Sequence, residues 1–184
     1  MNNDGILSFL GDAGALKRIR RTGWVESGVR EPESVADHSF RTALLAMTLA
    51  DAEGLDTLKA VRMALLHDLA ESRVGDLTPA QKEENPDWVG EEAEAITQIL
   101  CGLPAEICLA YKAILDELSL GESPEAQLVH SADKLEMLLQ AREYTEAGND
   151  PAKLMRFRHV SVEGALEKEL ERRIKEKKTA GDAR

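Results

Sequence analysis

Apolar residues in this chain return with the period of a helix, and β-branched residues nowhere alternate over the length that a half-buried strand needs. A chain patterned this way has to build its core by laying helix against helix. From Val35 to Ala50 the stripe includes Phe40, Ala43, Leu44, Met47 and Ala50. Ser34, with Asp37 three residues on, has the form of a capping box and starts that helix. Thr57 to Ser72 predicts a second helix, using Leu58, Val61, Leu65, Leu66 and Leu69, with Gly54 separating the two. Thr78-Pro79, Ser123-Pro124 and Asp150-Pro151 each place a capping side chain before a proline at the first helical position. Glu91 to Leu100 and Ala105 to Leu118 read as helices broken by Gly102-Leu103-Pro104, and Ala126 to Tyr144 as a long one with Leu128, Leu135, Leu138 and Leu139 inward. A last amphipathic helix, near 160–178, carries Leu166, Leu170 and Ile174 and is expected to lie on its own domain. Aromatics are 4% of residues, so Leu, Ala, Ile, Val and Met must fill the interior. With 184 residues and no repeat or flexible linker, the chain reads as all-α, one domain over 1–184 with its core at about 16–146.

Charge narrows the function. The 34 acidic and 23 basic residues leave a net charge of −11, which argues against a nucleic-acid polymer as partner because backbone affinity rests on clustered Lys and Arg. A small anionic substrate held by a few local cations is compatible with it. No apolar run approaches the roughly 20 residues of a membrane span. The start of the chain carries Asp4 and Asp12 around a short apolar stretch, unlike a signal peptide. Cys101 and Cys108 make no disulfide scaffold and read as buried thiols. The expectation is a cytoplasmic protein.

The chemistry concentrates in MALLHDLAESRVGDL. His67-Asp68 sits beside Leu65, Leu66 and Leu69, where an unpaired buried charge would be costly, so the pair needs a counter-ion or a metal. Neutral imidazole with carboxylate is a suitable donor set for a divalent transition ion. Glu71 follows His67 by four residues and Asp68 by three, close to both on a helix surface, and Asp76 follows Gly75, where a turn could fold it back. Asp37-His38 opens another helix, and Asp133 sits among apolar neighbours in HSADKLEMLL. Three helices could therefore deliver His38, His67, Asp68 and Asp133 to one ion.

The order of one His, then His-Asp, then a distant Asp resembles the HD-domain metal-dependent phosphohydrolases. The longer words LKRIRRTGWVESGVREPESVADHSFR, ALLHDLAESRVGDLTPA and SADKLEMLLQAREY resemble their 5′-deoxynucleotidase branch, over roughly Leu16 to Tyr144. The resemblance implies an all-helical domain, a homodimer, that removes phosphate from deoxyribonucleoside 5′-monophosphates. It implies His38, His67, Asp68 and Asp133 as metal ligands for a divalent ion, which could be Mn, Co, Zn, Ni, Fe or Mg. Glu71 and Asp76 would act on water and substrate, or hold a second ion with the Leu77 carbonyl. Trp24 matches a Trp near the substrate. Related bacterial enzymes have Arg immediately before that Trp, but Gly23 stands here, so Arg20, Arg21 or Arg41 would supply the phosphate-binding cation. The competing readings are a phosphohydrolase of another nucleotide, a triphosphate or cyclic one, and a non-catalytic module that the metal only braces.

Overall fold

The computed structural model describes residues 3–176, and its regular elements are helical. They are α1 (Asn3–Ala15), α2 (Thr22–Glu26), α3 (Val35–Glu53), α4 (Thr57–Leu66), α5 (Glu71–Val74), α6 (Pro79–Glu84), α7 (Trp88–Leu100), α8 (Ala105–Leu120), α9 (Pro124–Glu146), α10 (Pro151–Leu154) and α11 (Ala165–Glu176), with short 3₁₀ turns at Leu16–Arg18 and Met155–Arg158. An isolated antiparallel bridge, Arg20 to Ser34, is the one strand-like feature among the described residues.

The helix starts follow their capping chemistry. The Ser34 hydroxyl accepts from the Asp37 amide at 3.2 Å, and the Asp37 carboxylate accepts from the Ser34 amide at 2.9 Å. Thr78, Ser123 and Asp150 cap α6, α9 and α10, each ahead of its proline.

Helices α3, α4 and α9 cross at the centre. Ala43, Ala46, Ala50, Ala60, Ala64 and Ala132 keep the backbones close, while Leu49, Met63, Leu128 and Leu135 fill the spaces between them. Burying each of these larger side chains stabilises the fold by roughly 1.5–3 kcal/mol. Leu166, Leu170 and Ile174 of α11 pack on this cluster, as expected of a helix lying on its own domain; the expected residues 177–178 fall outside those described. A second cluster joins Leu16, Val35, Leu66, Leu69 and Ile99. A third gathers Trp24, Val29, Ala141, Tyr144 and Leu154.

Several positions depart from the pattern in the sequence. The second helix does not run to Ser72: α4 ends at Leu66, and the chain passes through a tight turn at 67–70 before α5. There the amides of Leu69 and Glu71 bond carbonyls only three residues back, at 3.1 Å, and His67 Nδ1 takes the Ala64 carbonyl at 2.8 Å. The large apolar residues of α3 are not its core face. Phe40 is 63% exposed, with Leu44 and Met47 also at the surface, because Ser39, Thr42, Ala43 and Ala46 provide the flat side that α4 and α9 can approach. Leu58 and Leu65 are exposed for the same reason, with Ala60, Met63 and Ala64 buried in their place. Leu139 is only half-buried. Cys101 is an exposed thiol and Cys108 a half-buried one, so neither is the buried group that composition suggested. No helix among the described residues is long and apolar enough to cross a membrane.

Candidate active site

Three elements bring two imidazoles and two carboxylates together. His38 lies in the first turn of α3 and is fully buried; His67 and Asp68 come from the break after α4; Asp133 comes from mid-α9. His38 Nε2 is 3.1 Å from Asp133 and 3.7 Å from Asp68, and His67 Nε2 is 3.1 Å from Asp68. Ligand atoms of His38, His67 and Asp133 all lie within 4.8 Å of one another. On the far side of each ring, Nδ1 meets an acceptor: Glu136 at 2.5 Å for His38 and the Ala64 carbonyl for His67. Carboxylates and carbonyls only accept, so both Nδ1 atoms carry the hydrogen and both Nε2 atoms turn toward the acids.

Those two Nε2 atoms are buried and have no hydrogen-bond partner. Lone pairs aimed at carboxylates from about 3 Å repel unless positive charge lies between them. Without a metal a proton fills that role. Burial opposes it, but Asp133 and Glu136 overcome burial and lift His38 to about 10, and Asp68 lifts His67 in the same way. Asp68 and Asp133 are conversely held below the carboxylate range by the imidazoles, against burial. Two nitrogens and two carboxylates with unsatisfied inward lone pairs fit a borderline divalent cation.

Beside this cluster, Gly75 takes φ +83°, a left-handed turn open to glycine, and swings Asp76 back toward the site. Asp76 accepts from the Thr22 amide, and its carbonyl accepts from the Thr22 hydroxyl at 2.6 Å. Arg21 reaches in from the other side, 2.9 Å from Asp76, 3.2 Å from Asp68 and 3.8 Å from Glu71. Glu71 is buried, and one of its oxygens has no partner. Burial, with the charges of Asp68 and Asp76, pushes it up to about 10.

Asp68 and Asp133 of this cluster line a cavity of about 570 Å³. Arg21, Asp68, Glu71, Asp76, Leu77 and Asp133 line it, as do Gly23, Trp24, Lys82, Met137, Arg156 and Phe157. Arg20 and Arg41 do not. The Arg20 guanidinium donates to the Pro32 carbonyl at 3.0 Å, and Arg41 is spread along α9 over Glu136, Gln140 and Glu143. Of the three arginines expected to serve a phosphate, Arg21 alone faces the cavity. Trp24 is 2% exposed, its indole N–H donates to Glu33 at 2.8 Å, and its ring packs at a 45° tilt against Phe157, 3.9 Å between centroids. At Gly23 an added Cβ would stand 3.1 Å from the Phe157 ring, and Arg156 donates to the Gly23 carbonyl at 2.6 Å.

Sequence reasoning missed Glu33, Glu136, Lys82, Arg156 and Phe157. Glu136 did carry a signal: it is an acid between Leu135 and Leu138, as anomalous there as Asp133. Arg156 and Phe157, by contrast, sit in a short turn without periodicity, and only the tertiary fold brings them to Gly23.

A family model described as HD domain matches residues 13–176. The 5′-deoxynucleotidase HDDC2 of Mus musculus is 40% identical over 153 residues, covering 83% of this chain and 76% of the relative. The 5′-deoxynucleotidase hdd1 of Schizosaccharomyces pombe is 35% identical over 181 residues, covering 91% and 90%. The crystal structure of PH0347 protein from Pyrococcus horikoshii superposes with a TM-score of 0.72 at 36% identity, over 82% of this chain and 84% of that one.

Proposed function

The chain belongs to the HD-domain family, and from that membership we propose that it hydrolyses deoxyribonucleoside 5′-monophosphates to deoxynucleoside and phosphate with the help of a divalent cation. The observation that carries this reading is the pair of buried, partnerless Nε2 atoms facing Asp68 and Asp133, two carboxylates that line the cavity. His38, His67, Asp68 and Asp133 would hold the cation. When bound, such an ion acidifies a water and offsets charge on the phosphoryl oxygens.

The chain's own groups do the rest. Water attacks phosphorus opposite the 5′ oxygen, and the P–O5′ bond breaks. Glu71, buried beside Asp68 with one oxygen unpartnered, takes the proton of the attacking water in its ionised form. Asp76, held by Thr22 and Arg21, would relay to the departing oxygen the proton that Glu71 takes, or would join Glu71 and the Leu77 carbonyl around a second ion. Arg21 stabilises charge spreading over the phosphoryl oxygens. The apolar side chains of the lining, Trp24, Met137 and Phe157, receive the nucleoside. A purely bracing ion would not need a buried Glu71 with an unsatisfied oxygen beside it.

The test is phosphate release from a panel of deoxy- and ribonucleoside monophosphates, triphosphates and cyclic nucleotides, before and after chelation. Release from deoxynucleoside monophosphates that stops on chelation and returns with Mn²⁺ or Co²⁺ supports the reading. Release confined to triphosphates or cyclic nucleotides overturns it.

We read the chain as one domain, because Ile114 touches two of the hydrophobic clusters and α9 contributes to two. A cytoplasmic setting is supported by the two free thiols. For the homodimer, the apolar stripe of α11 is no support, since it is used within the chain. The support is instead the exposed row Phe40, Leu44 and Met47 on α3. A monomer mass in light scattering would count against a dimer.

A further inference from the structure

We propose that Glu136, itself held by Arg41, is a positioning residue that fixes His38 with its hydrogen on Nδ1 and so presents Nε2 bare to the cation. The inference rests on the metal reading above and adds to it two residues outside the ligand set. Glu136 is 1% exposed and lies behind His38, away from the cavity. Its Oε2 stands 2.5 Å from His38 Nδ1, while its Oε1 accepts from Arg41 Nε at 2.8 Å and lies 2.7 Å from the other guanidinium nitrogen. The two oxygens therefore have separate tasks. The fork from Arg41 pins the carboxylate plane, which leaves Oε2 aimed along the imidazole N–H. Arg41 is in turn anchored further along α9 by Gln140 and Glu143.

A buried imidazole left alone can carry its hydrogen on either nitrogen, and with the hydrogen on Nε2 it could not ligate. An acceptor-only partner on Nδ1 removes that choice and makes the ring a stronger donor, the usual arrangement behind metal-bound histidines. His67 obtains the same tautomer from the Ala64 carbonyl, a neutral partner. His38 is the ligand backed by full negative charge. Arg41 thus serves the metal side of the site and not the phosphate.

The experiment titrates Mn²⁺ into the full-length chain by calorimetry, comparing wild type with Glu136→Gln, Glu136→Met and Arg41→Met. Helix content and melting temperature of the cation-free forms identify any variant that fails to fold. The methionine at 136 removes the acceptor and is expected to raise the Mn²⁺ Kd by about 10- to 100-fold, the amide less, in line with losses of such outer partners. Arg41→Met is expected to raise Kd while KM for a deoxynucleoside monophosphate at saturating Mn²⁺ stays where it was. A merely structural role would lower melting temperature and leave the Kd of the folded protein alone. Unchanged Kd in both Glu136 variants overturns the proposal. A raised KM with unchanged Kd in Arg41→Met returns that arginine to the substrate and overturns its part. Wild type that binds no divalent cation fails at the metal reading itself, a result separable from both.

Discussion

At the scale of single residues, the ligands and the base should fail differently. His67→Ala and Asp68→Asn each remove an inward donor, so Mn²⁺ binding and phosphate release should be lost together, and chelation of wild type should reproduce the loss. Glu71→Gln keeps the shape but cannot take a proton, so Mn²⁺ should still bind while turnover falls by about 10²- to 10⁴-fold. Calorimetric Mn²⁺ binding alongside phosphate release checks both, and a His67→Ala protein active after chelation would defeat the metal site as the catalytic centre. Of the residues proposed for the site, His67, Asp68 and Asp133 stand out in the sequence as polar groups among apolar neighbours, whereas His38 is marked by its place in the motif order and Glu71 by its spacing from His67 and Asp68. The arginines were not legible, since a long flexible cation gives no hint in sequence of where its head goes. Arg20, Arg21 and Arg41 look alike in sequence, and the fold sends them to a loop carbonyl, the acid cluster and the back of α9.

At the scale of elements, the start of α3 is both a cap and a site component. His38 lies four residues after Ser34, so fraying of the first turn moves a ligand. Ser34→Ala removes the hydroxyl that accepts from the Asp37 amide and should cost about 1 kcal/mol. In a chain of this size that is a drop of about 2–4 °C in Tm by scanning calorimetry. Mn²⁺ affinity should weaken with it; an unchanged Tm would show that the box contributes nothing. Caps and prolines made the helix starts readable. The end of α4 was unreadable, because Leu66, Leu69 and the polar residues around them satisfy a helical repeat whether or not the backbone continues. What stops it is a tertiary requirement: His67 must spend Nδ1 on the Ala64 carbonyl to face His38 and Asp68.

For the molecule as a whole, the acid–imidazole cluster ties stability to pH. His38 is raised from 6.5 to about 10, Glu71 from 4.5 to about 10 and Glu33 from 4.5 to about 7, so the folded state holds protons that the unfolded chain has released. Groups raised on folding lose their contribution as pH climbs from the unfolded to the folded value. The cation-free protein should therefore melt at progressively lower temperature from about pH 5 to about pH 9, and Mn²⁺ should recover most at the alkaline end. Scanning calorimetry across that range decides it, and a cation-free Tm that is flat or rising would contradict the burial assigned to these groups. A different dependence runs between the ends of the chain. A Cβ added at Gly23 would stand 3.1 Å from the Phe157 ring, a space that glycine leaves open. An arginine placed at 23 would need the Phe157 ring to give way, and loss of Phe157 would leave Trp24 with Tyr144 as its ring partner. The effect of a side chain at 23 therefore depends on what stands at 157, so two residues 134 apart in the chain shape this wall of the cavity as one unit.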